Sequence, residues 1–188
     1  MTKTVAKAAL AAVLALGLVS CGNDAGEATA AGAEPGDETL AEVLADAGTL
    51  STTAGAFEET GLVGVLEGEA SYTVLAPSDA AFEALGTDAR DALQGEEQGA
   101  LMAAILREHM LPGALTPEAI REALNANDGT VEVASFGAGT LSFRSEGNDI
   151  VVSNEAGQSA RLAGEAVAGS NGVVIPIDGV LVDPAALP

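Results

Sequence analysis

Tyr72-Thr-Val-Leu-Ala-Pro-Ser-Asp-Ala-Ala-Phe-Glu-Ala-Leu85 is the stretch that decides the fold. Residues 71–76 are rich in β-branched and aromatic side chains and predict a strand, which Pro77 halts. Ser78 is placed to cap a helix through Phe82 to Leu85, with Asp79 in its first turn, where a carboxylate suits the helix dipole. Strand, stop and capped helix therefore follow one another without a gap.

Upstream, residues 39–47 predict a helix with Leu40, Val43 and Leu44 on one face, Thr39 as N-cap and Gly48 past its end. Residues 50–60 and 62–66 predict two short helices punctuated by Gly61 and Gly64. Downstream, helices are expected over 87–93, over 97–108 with Leu101, Ala104 and Ile105 inward, and from Thr116-Pro117 to Leu124, where a cap precedes proline at the first helical position. After the turn at 125–129 the chain becomes strand-like over 130–135, 140–145, 149–153, 160–168, 173–177 and 179–182. Helices first and a run of short strands afterwards indicate an α+β domain rather than alternating βαβ units.

The N-terminal residues predict export. Lys3 and Lys7 precede an uncharged run from Ala8 to Ser20, about thirteen residues, which suits a signal peptide and is too short to cross ~30 Å of hydrocarbon. Leu18-Val19-Ser20-Cys21 resembles the bacterial lipobox, which implies removal of residues 1–20 and acylation of Cys21. As the only cysteine, Cys21 has no partner for an intramolecular disulfide. Residues 21–37, rich in Gly, Ala and acidic groups, read as a lipidated flexible tether. Residues 38–183 are expected to form one domain, followed by a short tail at 184–188. The implied address is the cell envelope outside the cytoplasm. Gly22, where an inner-membrane retention signal has Asp, points to the outer membrane of a cell that has one.

The charge narrows the partners. All 28 acidic residues follow Cys21, and only five arginines and no lysine remain with them, a net −23 for the expected mature chain. That leaves no basic footprint for nucleic acid, and no electrostatic attraction to anionic lipid beyond the acyl anchor. One histidine and one cysteine cannot make a zinc site. The acidic turn at 125–132 has its glycine misplaced for an EF-hand, and no Gly-x-Ser-x-Gly elbow accompanies His109. No catalytic residues, metal or cofactor are therefore expected.

The first stretch, together with Ile105-Leu-Arg-Glu-His-Met-Leu-Pro-Gly-Ala-Leu115 and Asn171-Gly-Val-Val-Ile-Pro-Ile-Asp-Gly-Val-Leu181, resembles the fasciclin domain in order and spacing. The resemblance covers about residues 38–183 and implies an antiparallel β-sandwich or wedge flanked by several short helices. Glu108 stands where the central motif usually has tyrosine, and Ile175 where the last usually has histidine. Pro176 predicts an edge strand or a bulge. The residues alone give Val74, Leu75 and Phe82 as core, Asn171-Gly172 as a hairpin turn, Asp178 bonded to its own turn, and His109 as a buried strut between helix and strand. The resemblance implies an adhesion or interaction module binding a protein or surface polymer through a groove at Thr73, Ser78, Asp79, His109, Asn171 and Ile175. The alternative it implies is a carrier of a small apolar ligand such as a carotenoid, favoured by the apolar Ile175.

Overall fold

The computed structural model describes residues 36–93, 98–137 and 139–183. The expected signal peptide, Cys21, nearly all of the tether and the tail lie outside the described residues. The elements run α1 (Leu40–Asp46), α2 (Ser51–Glu59), α3 (Val63–Leu66), β1 (Tyr72–Pro77), α4 (Asp79–Ala84), α5 (Thr87–Leu93), α6 (Gly99–Glu108), β2 (Met110–Pro112), α7 (Pro117–Ala126), β3 (Thr130–Ala134), β4 (Thr140–Glu146), β5 (Asp149–Ser153), β6 (Ser159–Arg161), β7 (Val167–Gly169) and β8 (Gly172–Ile177).

The helix starts follow the capping logic of the sequence. Thr39 caps α1 in a full capping box with Glu42, which holds the Glu42 carboxyl below its usual range through the Thr39 backbone and hydroxyl donors. The Ser78 hydroxyl accepts the Ala81 N–H at the start of α4, and the Thr116 hydroxyl accepts the Ala119 N–H beside Pro117. The face of α6 differs from the expected one. Met102, Ala103, Ile105 and Leu106 are buried, whereas Ala104 is exposed. Spacing of three and four from Met102 through Ile105 and Leu106 leads to His109, so the imidazole continues the buried stripe.

Two four-stranded sheets form, in the orders β2-β1-β8-β7 and β3-β4-β5-β6. The second is antiparallel throughout. The first departs from the expected antiparallel wedge at its centre, where β1 and β8 run parallel in register from Tyr72↔Gly172 to Pro77↔Ile177. Both strands are buried on both faces, and a near-continuous apolar run is what a central parallel strand requires. The first sheet is therefore the middle layer. Val74, Ala76 and Val174 meet α1, α2, α4 and α6 on one side. Leu75, Val173, Ile175 and Ile177 meet Leu141, Phe143, Ile150 and Val152 of the second sheet, with Ile120 and Leu124 of α7, on the other.

The single strand expected over 160–168 divides between the sheets. β6 ends on the second sheet, a lone Leu162↔Ile177 bridge links it to β8, and β7 then pairs with β8. Gly164, at φ +77°, makes the bend against the Pro176 ring. β8 is an interior strand with no bulge, so the edge expected from Pro176 is met only locally, on its β7 side. β7 pairs only as far as Val174, so the missing donor of Pro176 falls beyond the ladder, while its carbonyl accepts the Ala163 N–H. Residues 179–182 are not a strand. They form a strap whose Val180 and Leu181 are buried in the helix-side and sheet-side cores respectively. The short strand β2 has no counterpart among the sequence expectations.

Candidate functional site

The six side chains expected to line a groove are spread along the parallel pair β1–β8, with Asn171 at its start beside Tyr72 and Ser78 and Asp79 past its far end, so the structure does not bring them together into one open surface. Thr73, His109, Asn171 and Ile175 are 0%, 1%, 7% and 2% exposed. Each has an internal role that accounts for its burial.

The Thr73 hydroxyl donates to the Gly113 carbonyl and accepts the Leu115 N–H, both at 2.7 Å. It thereby ties the loop after β2 to β1. Ile175 pairs with Leu75 and fills the space between the sheets. It closes the core rather than opening an apolar cavity, which removes the feature that favoured a ligand carrier at this place. Asn171 lies in the β7–β8 turn, but its work is long-range. Its Oδ1 accepts the Leu40 N–H at 2.8 Å, and its Nδ2 donates to Leu66 and Gly68 carbonyls at 2.7 Å each. Every polar atom of that buried amide is used.

Ser78 and Asp79 are half-buried and share one junction. Ser78 caps α4 as expected. The Asp79 carboxylate does more than favour its own helix: it accepts the Thr52 N–H at 2.7 Å and the Ser51 hydroxyl at 2.9 Å, capping α2 from another part of the chain. Burial pushes the Asp79 carboxyl up, but the bonds from Thr52 and Ser51 together outweigh it and hold the group below the usual carboxylate range. Leu50, at the N-cap position of α2, supplies no side-chain cap of its own.

His109 is a strut between α6 and the strap. Its Nδ1 bonds the Ile105 carbonyl at 2.8 Å, and its Nε2 accepts the Leu181 N–H at 3.0 Å. Those partners require the neutral tautomer with the proton on Nδ1. Burial pushes the imidazole pKa down to about 4, against a smaller raising effect of the Ile105 carbonyl. Asp178 does not bond its own turn: its backbone N–H donates to the Arg161 carbonyl, and its Oδ1 accepts the Arg161 N–H, so it ties β8 to β6.

The exposed surface nearby was not singled out from the sequence. Phe136, in the β3–β4 hairpin, is 45% exposed, and its ring meets Tyr72 edge-on at a centroid distance of 5.3 Å. The hairpin is held in place from below. The Phe136 N–H donates to the Met110 carbonyl, and the Ser135 hydroxyl donates to Glu108 Oε2 at 3.0 Å. Gly139 lies so close that an added Cβ would come within 2.6 Å of Glu108 Oε1. Glu108 thus seats the hairpin turn. The available signals were its departure from tyrosine and the Gly-x-Gly turn, but only the fold brings them together.

A shallow apolar depression lies between α1, α2 and α3, lined by Leu44, Phe57, Val63 and Leu66 among others; its volume is about 220 Å³ including open solvent. Among the described residues, no group of three or more His, Cys, Asp or Glu is placed to hold a metal ion, and no helix is long and apolar enough to cross a membrane.

Comparison with known proteins places these features in context. The family model described as Fasciclin domain matches residues 48–183. Protein sll1483 of Synechocystis sp. is 31% identical over 146 residues, which cover 78% of this chain and 74% of that protein. A solved FAS1 domain pair from the insect cell adhesion molecule Fasciclin I matches with a TM-score of 0.71 and 18% identity, over 81% of this chain and 53% of that one. The chain thus spans about half of that domain pair, and the likeness is one of fold.

Proposed function

The chain belongs to the fasciclin domain family, and from that premise we propose that it is a non-enzymatic adhesion or binding module, held outside the cytoplasm by a lipid on Cys21, that engages a protein or surface polymer through the surface around Phe136. The observation that carries the binding surface is the exposed Phe136 ring held edge-on by Tyr72 on a hairpin pinned at Met110 and Glu108. A rigid exposed aromatic is the type of side chain on which interface energy concentrates, because little rotamer freedom is lost on binding. The buried motif residues hold that surface in place instead of touching a partner.

The test compares attachment of the purified domain to envelope material of the source cell for the parent chain and Phe136→Ala. Attachment should fall about tenfold with an unchanged urea midpoint. Undiminished attachment by a folded Phe136→Ala protein would move the binding surface elsewhere. Anchoring is tested separately: Cys21→Ser should shift the protein from the detergent phase to the aqueous phase. If the parent chain itself partitions to water, the lipid reading fails while the binding reading stands.

A further inference from the structure

The strap over 179–182 covers apolar positions in two layers at once. Val180 sits in the helix-side core and Leu181 in the sheet-side core. Its backbone is held at Leu181 by two side chains from different elements. The Leu181 N–H donates to His109 Nε2 at 3.0 Å, and the Leu181 carbonyl accepts from Asn154 Nδ2 at 3.2 Å. The first of these bonds exists only while Nε2 carries a lone pair. A proton added there turns an acceptor into a donor facing another donor, inside a site that is 1% exposed.

We propose that residues 179–182 are an acid-released latch: protonation of His109 removes the acceptor that holds Leu181, and the strap opens to uncover the apolar surface beneath Val180 and Leu181. This is a conformational property of the domain and does not depend on where its binding surface lies. The groups bonded to the ring are the Ile105 carbonyl and the Leu181 N–H, both backbone.

The titratable side chains on the surrounding elements are Arg107 and Glu108 of α6, Tyr72 of β1, and Asp178 and Asp183 at the two ends of the strap; β2 has none. Arg107 and Asp183 are exposed, Glu108 accepts from Ser135, Tyr72 packs on Phe136, and Asp178 takes the Arg161 N–H. The closed form holds the imidazole at about 4 through burial, whereas an opened strap returns it towards its ordinary value of about 6.5. The opening constant therefore rises as pH falls below about 6.5 and levels off near 4.

Hydrogen exchange of the full chain, followed residue by residue, tests this at pH 7 and pH 5, a window above the ordinary titration range of the carboxylates. The Leu181 amide should be less protected than the amides of β4 and β5 at both pH values. Its protection factor should fall about 20-fold from pH 7 to pH 5, and His109→Gln should abolish that fall. Protection that does not change with pH, or that equals that of β4 and β5 throughout, overturns the latch. If His109→Gln does not fold, the ring resonances of the parent chain decide: titration near pH 6.5 with an unmoved Leu181 amide also overturns it.

Discussion

Asn171 and Leu40 stand 131 residues apart in sequence, and the Asn171 Oδ1 accepts the Leu40 N–H at 2.8 Å inside the domain. The first N–H groups of a helix have no partner within it. Here one of them is satisfied by a turn from the far end of the domain, and the same amide carries the chain after α3 through Leu66 and Gly68. Asn171→Ala leaves one buried donor and two carbonyls unpaired. The expected loss is about 3 kcal/mol, read as a lowered urea midpoint at constant slope. Asn171→Asp keeps the acceptor but turns a carboxylate oxygen on the Leu66 and Gly68 carbonyls, and at pH 7 should cost at least as much as Asn171→Ala. A loss below about 0.5 kcal/mol for Asn171→Ala would contradict this role.

Asp79 caps α2 in trans, so its removal should act on a helix to which it does not belong. Asp79→Ala is expected to cost about 1–2 kcal/mol, with the first-turn amides of α2, Thr52 above all, losing protection against exchange. The sign with pH follows from its lowered pKa. The contribution is present above the ordinary value of about 3.9 and disappears as pH falls through the lower folded value. The parent chain and Asp79→Asn should therefore differ at pH 6 and converge near pH 2. A constant difference down to pH 2 would show that the charge is not what caps the helix.

Two glycines with positive φ separate close packing from local conformation. Gly172 has φ +149°, and a Cβ there would run into the Tyr72 carbonyl and come within 2.9 Å of Leu40 Cδ1. Gly147 has φ +65° with open space around it. Gly147→Ala should cost about 1 kcal/mol, a purely conformational penalty. Gly172→Ala should cost at least about 3 kcal/mol and can prevent folding, because the parallel β1–β8 pairing begins at Tyr72↔Gly172. Equal midpoints for the two variants would refute the close approach.

Much of this architecture was legible because it is written locally. Ser78 after Pro77 and Thr116 before Pro117 announce their helices through contacts of three residues' range, and short β-rich runs bounded by Gly, Asn and Ser announce β4 and β5. What was not legible depends on partners far away in sequence. Nothing near β1 states that its neighbour is β8 or that the two run parallel. Residues 179–182 read as a strand because their apolar run resembles one, yet the Leu181 backbone is held by the His109 and Asn154 side chains rather than by a ladder. The groove residues show the same limit. Asp79 and Asn171 carry the polar chemistry expected of a site, and only their partners reveal that they bind other parts of the same chain. Phe136, in contrast, was not singled out, because apolar periodicity cannot tell which end of a hairpin faces water.

Ile175 supplies the sharpest test of whether the last motif position serves the interior or a ligand. Its side chain is 2% exposed, pairs with Leu75, and packs among Leu141, Phe143 and Val152 in the sheet-side core. Ile175→His puts an imidazole into that space in place of an aliphatic side chain. Isoleucine-to-valine truncation at such a site costs about 0.5–1.5 kcal/mol, whereas the histidine variant also buries a polar group and should cost about 3 kcal/mol at pH 8. Acid should widen the gap, since a second buried imidazole with a depressed pKa makes the unfolded chain bind more protons than the folded one below about pH 6.5. Urea midpoints at pH 8, 6.5 and 5 for the parent, Ile175→Val and Ile175→His separate the cases. If Ile175→His matches the parent at all three, this position is not closed core, and a site open to ligands must be sought there after all.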